Sequence, residues 1–224
     1  MKSIYEFLLS EHLLNEHLLK SKTATSTQGM GYVDLGLKSG LLWARCNIGA
    51  DEPTEYGDYF MWGSTEPDTD KHCDWEHAPF NNGNNDFNKE YFKSIQNDVC
   101  PNGILTPEYD AATSILGDDW RLPTEDDFKE LIDNTNYEWI ENYQDSKING
   151  MGFEANGAEL FIPAAGYRNE FGVKCSGTYA YLWGSSLVTS SIKFAKTLSS
   201  FVYSCSVSNS IHANGFCLRG VKNK

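Results

Sequence analysis

From residue 32 onwards the apolar stretches of this chain are short, and Gly, Asn or Pro interrupts them every few residues. A chain with this pattern does not fold mainly into long helices, because a packed helix needs apolar residues every three or four positions over several turns. The pattern favours short strands joined by turns. It predicts a mixed α+β domain over residues 32–224, with few helices and an antiparallel sheet.

Two segments have the periodicity of helices, 107–116 and 124–134. In the second, Thr124 begins a Thr-Glu-Asp-Asp sequence that is typical of a capping box, ahead of an apolar stripe. Residues 68–102 are rich in Asn, Asp and Gly, which predicts a long irregular surface segment. The predicted strands are 32–37, 41–47, 137–143, 151–155, 158–163, 179–185, 193–203 and 215–222.

The N-terminal segment has a different pattern. Residues 3–20 predict an amphipathic helix, so we expect residues 1–22 to dock on the domain or to join copies of the chain into a homo-oligomer, with 23–31 as a linker. Glu and His interrupt every apolar stretch that could form the core of a signal peptide. We therefore expect synthesis in the cytoplasm without a signal peptide, and release by lysis or on a virion if the protein works outside the cell.

The charge is strongly negative and unevenly distributed. The chain has 18 Lys and Arg against 31 Asp and Glu, a net charge of -13 that disfavours binding to nucleic acids and to anionic membranes. No stretch is long and apolar enough to insert into a membrane. Residues 171–224 contain no Asp or Glu, and ten of the twenty serines lie between Ser185 and Ser210. This asymmetry predicts a distinct role for the C-terminal segment.

The six cysteines are scattered, with no Cys-x-x-Cys and no Cys/His spacing typical of a metal site, so we expect buried thiols, no metal and no cofactor. His72, Cys73 and His77 fall close enough in sequence to meet in one loop, for which a solvated state is expected. The sequence contains no nucleophile elbow, phosphate-binding glycine loop or metalloprotease helix, so an enzyme is not predicted.

Several motifs together resemble bacterial domains related to formylglycine-generating enzyme. They are YVDLGL at 32–37, LWARCNIGA at 42–50, EYGDYFMWG at 55–63, DAAT at 110–113, WRLPT at 120–124, FIPAAGYR at 161–168, LWGSS at 182–186 and GFCLRGV at 215–221. The resemblance implies a C-type-lectin-like fold with two helices and small twisted antiparallel sheets, in which the chain ends join in one sheet.

Within these motifs Trp43, Trp62, Trp120 and Trp183 are predicted to fill the core, because each offers a large apolar ring. Three arginines are predicted to form buried pairs with acids. The arginines are Arg121, Arg168 and Arg219, and the candidate acids are Asp58, Asp119 and Glu130.

The C-terminal segment 187–212 departs from an ordinary strand pattern, because aromatic and apolar residues stand among serines, as in an antibody paratope. It resembles the variable proteins of diversity-generating retroelements, in which mutagenesis at template adenines rewrites Asn codons. Such codons never yield Lys, Met, Trp, Gln or Glu, and none of these occurs between Thr197 and Gly215. Ala195, Leu198, Val202 and Val207 are predicted to face inwards between the variable positions.

The resemblance implies a ligand-binding protein without catalysis, such as a phage receptor-binding or adhesion protein whose partner is a protein or glycan on a target cell. The predicted contact residues are Val188, Ser190, Ser191, Phe194, Thr197, Ser199, Phe201, Tyr203, Ser204, Cys205, Ser206, Ser208, Asn209, Ser210, Ile211 and His212.

Two alternatives remain open. One is a formylglycine-generating oxidoreductase, for which Cys205 and Cys217 are the only late cysteine pair able to hold copper. The other is a carbohydrate-binding or adhesion module without diversification. The Glu66-Pro67-Asp68 sequence is similar to a lectin calcium motif, but it lies early in the chain and has no partner motif.

Overall fold

The computed structural model describes residues 31–69 and 72–224. Over these residues the fold is mixed α+β, with small antiparallel sheets and few helices, as the sequence predicts. The predicted N-terminal helix 1–22 and all but the last residue of the predicted linker 23–31 lie outside the described residues.

The described residues contain three α-helices and twelve strands. The helices are α1 (Lys89–Val99), α2 (Ala111–Leu116) and α3 (Glu125–Asp133), with 3-10 turns at Pro101–Gly103, Pro107–Tyr109 and Tyr143–Asp145. The strands are β1 (Tyr32–Asp34), β2 (Leu42–Ala44), β3 (Trp120–Arg121), β4 (Asn136–Ile140), β5 (Gly150–Ala155), β6 (Ala158–Pro163), β7 (Tyr167–Asn169), β8 (Gly172–Lys174), β9 (Ala180–Leu187), β10 (Phe194–Phe201), β11 (Ser204–Ile211) and β12 (Val221–Lys222).

The two ends of the described domain meet in one four-stranded sheet of order β1-β2-β12-β3. Val221 of β12 pairs with Trp43 of β2 on one side and with Arg121 of β3 on the other. Arg219, just before β12, is fully buried and donates hydrogen bonds to Asn47 Oδ1 and to the carbonyls of residues 44, 45 and 161. These bonds fix the C-terminal strand between the two earlier ones.

Side-chain caps set the starts of α2 and α3. Asp110 Oδ1 accepts from the amides of Ala112 (2.9 Å) and Thr113 (3.2 Å), and its Oδ2 accepts from Leu122 N, 2.8 Å away. Thr124 and Asp127 form the predicted capping box. The helix predicted over 124–134 is confirmed, and the one predicted over 107–116 is present as a 3-10 turn followed by α2.

The prediction that 68–102 is irregular is wrong for its last part, which forms α1. The helix is mostly polar, and Phe92 and Val99 are the buried residues of its apolar face. The missed signal is its cap, because the side chain of Asn88 accepts from Tyr91 N at 3.1 Å.

The core has two main clusters. One surrounds Trp43 and Phe128, and the other contains Trp62, Trp183 and Phe216. The indole N–H groups of the second cluster are satisfied, since Trp62 donates to the carbonyl of Gly184 and Trp183 donates to the carbonyl of Phe60, both at 2.9 Å. All four tryptophans predicted to fill the core are buried.

The arginine pairs differ from the predicted ones. Arg121 pairs with Asp127 at 2.6 Å and Arg168 with Asp68 at 3.5 Å, rather than with Asp58, Asp119 or Glu130. Arg219 pairs with no acid among residues 31–69 and 72–224 and uses backbone carbonyls and Asn47 instead. Burial lowers the pKa of Arg219 to about 10.

Candidate binding face

The predicted contact residues lie mainly on one three-stranded antiparallel sheet of order β11-β10-β9. β10 is central, and β11 is an edge strand joined to it by a two-residue turn at Val202 and Tyr203. The prediction of one strand over 193–203 therefore found β10 and missed β11. The prediction that Val202 faces inwards is wrong, because its position in the turn leaves the side chain 46% exposed.

The pairing register places five serines on the same side of this sheet. Ser199 lies opposite Ser206, Phe201 opposite Ser204, Thr197 opposite Ser208, and Ala195 opposite Ser210. Paired residues share a face, and alternate residues along a strand return to that face. We call the resulting row the serine face, which consists of Ser199, Ser204, Ser206, Ser208 and Ser210.

The serine face is open to solvent over much of its length. Ser206 is exposed and the other four serines are half-buried. The hydroxyl oxygens of Ser206 and Ser208 lie 3.5 Å apart on the edge strand. These hydroxyls can both donate and accept hydrogen bonds, which suits contact with chemically different ligands.

The other face of the sheet packs on α3 and the core. Leu198 and Val207 lie opposite each other there, next to the pair formed by Ser200 and Cys205. The hydroxyl of Ser200 donates to the sulfur of Cys205 at 3.1 Å. Leu198 is buried and Val207 is half-buried against the core there, as predicted for inward positions. Ala195 is also buried, as predicted, but the register puts it on the side of the serine face, where the second core cluster covers it.

Four of the predicted contact residues are buried, so their prediction as part of an outer contact face is wrong. They are Val188, Thr197, Cys205 and His212. Cys205 faces the core side of the sheet, and Thr197 lies beside Trp183, its partner in β9, at the end of the sheet that the second core cluster covers. The Thr197 hydroxyl has no hydrogen-bond partner among the described residues.

His212 follows β11 and enters a group of aromatic rings. Its ring stacks on Trp62 with centroids 4.4 Å apart and also contacts Phe87 and Phe92. Its Nε2 has no partner among the described residues, and burial lowers the pKa of the imidazole to about 3. The ring is therefore neutral at physiological pH and acts as a core residue.

The remaining contact residues lie at the rim. Tyr203 is 89% exposed at the tip of the β10–β11 turn. Ser190 and Ser191 are exposed in the β9–β10 loop, and Asn209 is exposed on the edge strand. Two are half-buried: Phe194, whose ring lies 5.2 Å from Lys193 Nζ, and Ile211, which packs against a small core cluster around Met61 and Cys73.

Two tyrosines that were not predicted as contact residues, Tyr179 and Tyr181, extend a row of aromatic residues beside the serine face. The rings of Tyr179 and Tyr181 are parallel, 5.7 Å apart, and Phe201 lies 5.3 Å from Tyr179. Tyr181 stacks in turn on buried Phe216 at 4.9 Å. The signal was the Tyr-Ala-Tyr alternation where β9 begins, with Tyr179 just before the strand and Tyr181 within it, which puts both tyrosines on one side.

The cysteines and histidines form no metal centre among residues 31–69 and 72–224. Burial raises the pKa of Cys205 to about 11 and that of Cys217 to about 12, so both are thiols at neutral pH. Cys73 is buried and donates to Asp68 Oδ2 at 3.2 Å, while the rings of His72 and His77 stack at 4.4 Å on the surface.

The carboxylate of Asp68 already has two partners within the fold. It accepts from Cys73 and lies 3.5 Å from Arg168. It therefore has structural partners in place of the open oxygen cage that calcium requires.

No family model, curated protein or solved structure matches this chain. None of the helices in the part of the chain that the structure describes is long and apolar enough to cross a membrane.

Proposed function

We propose that this chain is a non-catalytic ligand-binding protein with a C-type-lectin-like fold, of the kind that diversity-generating retroelements vary. The observation that carries the proposal is the serine face. Five serines from two neighbouring strands share one side of a sheet, while Leu198 and Val207 on the opposite side hold that sheet to the core. Side chains on the serine face can therefore change without altering the packing below.

The pairing of β12 with β2 and β3 supports the C-type-lectin-like part of the proposal, since that fold joins its chain ends in one sheet. The motif series that resembles the formylglycine-generating relatives lies in the framework, with Trp43, Trp183 and Arg219 all buried. These motif residues therefore lie in the core and not on the serine face, which is the arrangement that a binder with a diversified surface requires.

The chemistry of the late cysteines favours a binder over an oxidoreductase. Both side chains are buried in the first core cluster, and the Ser200 hydroxyl already donates to the sulfur of Cys205. These features support structural roles for both residues.

Affinity on such a face comes mainly from desolvating aromatic side chains, with the serines supplying adaptable hydrogen bonds. Phe201 and Tyr203 are the anchors, and Tyr179 and Tyr181 extend the aromatic surface. The ligand in this proposal is a protein or glycan on a target cell. Several copies on a virion or other assembly, joined through residues 1–22, would add avidity.

The genome that encodes this chain tests the proposal. We expect a near-identical copy of the DNA encoding residues 187–212 beside a reverse transcriptase gene, with adenines at the codons of the serine face. A gene without such a copy, and without variation in sister isolates, would instead identify a non-diversified adhesion module.

Light scattering of the protein with and without residues 1–22 tests whether these residues join copies of the chain. An unchanged mass contradicts this part of the proposal.

A further inference from the structure

The cleft beside the β9–β10 loop differs in charge from four other clefts of the described surface. Each of those four clefts contains two or three carboxylate side chains. The fifth contains none, and it is lined by Lys89, Lys93 and Lys193. We call it the lysine cleft. Its charge is opposite to that of the chain as a whole, whose net charge is -13.

Two of these ammonium groups have no carboxylate partner. Lys89 and Lys193 form no ion pair with any residue in 31–69 or 72–224, and Lys193 Nζ lies over the Phe194 ring. Lys93 lies 3.6 Å from Glu90, in an exposed pair of little strength. The side chains that line the cleft therefore carry a net positive charge, which attracts anions.

The other walls of the lysine cleft suit a sugar. Thr189, Ser190 and Ser191 provide hydroxyls on one side, and Phe87 and Ile192 provide apolar surface. The Phe87 ring is held by Trp75 at 5.3 Å and by Phe92 at 5.9 Å. The volume of about 410 Å³ lies in the range of small-molecule sites and is too small for a folded segment.

We infer that the lysine cleft binds an acidic sugar residue, with the lysines contacting its carboxylate or sulfate group, the hydroxyls contacting its ring hydroxyls and Phe87 contacting its apolar face. This inference rests on the proposed binding function, because Ser190 and Ser191 belong to both the predicted contact set and the cleft. It adds the chemical class of the ligand.

The test is an amide NMR titration of the full-length protein with 3′-sialyllactose, N-acetylglucosamine 6-sulfate and lactose. We expect the amides of Ser190, Ser191 and Lys193 to shift with at least one acidic sugar and not with lactose. The acidic sugar that binds identifies a carboxylate or a sulfate as the anion. Equal binding of lactose, or no shift with either acidic sugar, overturns the inference.

Matched variants separate a built site from general attraction to positive charge. Lys89→Ala/Lys193→Ala should weaken binding of the acidic sugar at least about tenfold, since hydrogen bonds to charged groups are lost. Lys38→Ala/Lys174→Ala changes the net charge equally at exposed lysines outside the cleft and should leave the affinity unchanged. Equal loss in both pairs contradicts the inference.

A poly-glutamate peptide is the final arm of this test. If the peptide shifts the same amides and the sugars do not, the cleft recognises acidic peptides and the sugar inference is wrong. The proposed function fails separately, because it is tested on the serine face and Tyr203, which lie outside the lysine cleft.

Discussion

The imidazole ring of His212 lies against the indole ring of Trp62, with centroids 4.4 Å apart and ring planes 27° apart. This contact joins the end of the candidate contact segment to the centre of the second core cluster. Because the ring is 2% exposed, protonating it would place an uncompensated charge among aromatic rings.

The first prediction is therefore a loss of stability in mild acid. The unfolded chain binds a proton at His212 near pH 6.5, whereas burial lowers the folded pKa to about 3. The stability from neutral His212 is fully present above pH 6.5 and is lost as the pH falls towards 3. Between pH 7 and 5 the free energy of unfolding should fall by about 2 kcal/mol more in the natural protein than in His212→Phe. Urea melts at both pH values measure this, and identical losses would contradict it.

The second prediction separates framework from face. Trp183→Ala should lower the free energy of unfolding by about 3–5 kcal/mol, because it removes a fully buried ring and its hydrogen bond to the Phe60 carbonyl. Tyr203→Ala should change it by less than about 0.5 kcal/mol, since that side chain is 89% exposed. Phe201→Ala, which loses a contact with Tyr179, should cost less than about 1.5 kcal/mol. Thermal and urea melts of the three variants measure the loss of stability. If Tyr203→Ala destabilises the protein about as much as Trp183→Ala, Tyr203 is an ordinary core residue and the prediction is wrong.

The third prediction concerns Asp110. Its side chain caps α2 and also accepts a hydrogen bond from the amide of Leu122, the residue that follows β3. Asp110→Ala leaves three amide donors without their acceptor and should destabilise the protein by about 3 kcal/mol or more. Asp110→Asn retains one carbonyl acceptor and should cost less. Urea melts rank the two variants, and equal costs would contradict the prediction, because the carbonyl oxygen retained in Asn would then contribute nothing.

The fourth prediction uses the orphaned hydroxyl of Thr197. Thr197→Val replaces a buried oxygen that has no partner among the described residues with a methyl group of similar size. It should raise the free energy of unfolding by about 1 kcal/mol, because the cost of desolvating the hydroxyl disappears. Thr197→Ser keeps the hydroxyl, loses the methyl group and should destabilise. If Val destabilises as well, the hydroxyl has a partner such as a bound water.

Local signals predicted much of the framework. The Thr124 capping box, the four buried tryptophans and the strands β5 and β6 follow from short-range patterns. The sequence predicted β11 poorly, because its alternating serines carry no strong apolar pattern. Its strand state depends on pairing with β10 across the turn at Val202 and Tyr203.

The candidate site was predicted in part. Alternate residues of a strand lie on the same face, so the five serines can be placed together once the register of β10 and β11 is known. The burial of His212 could not be predicted, since it depends on rings from Trp62, Phe87 and Phe92, which lie far away in sequence. Tyr181 was not predicted as a contact residue, because it lies in β9, before the segment 187–212, and reaches the same surface through the pairing of β9 with β10.

The central claim is that the serine face tolerates replacement while the opposite side of the same sheet does not. The most direct test is the protease resistance of two displayed libraries of this protein. In each library the first two bases of the codon are randomised at every varied position. One library varies the serine face together with Tyr203, and the other varies Leu198, Ser200, Cys205 and Val207, which lie on the opposite side. We predict that most members of the first library stay folded and that most members of the second do not. Equal loss of folded protein in both libraries would contradict the claim.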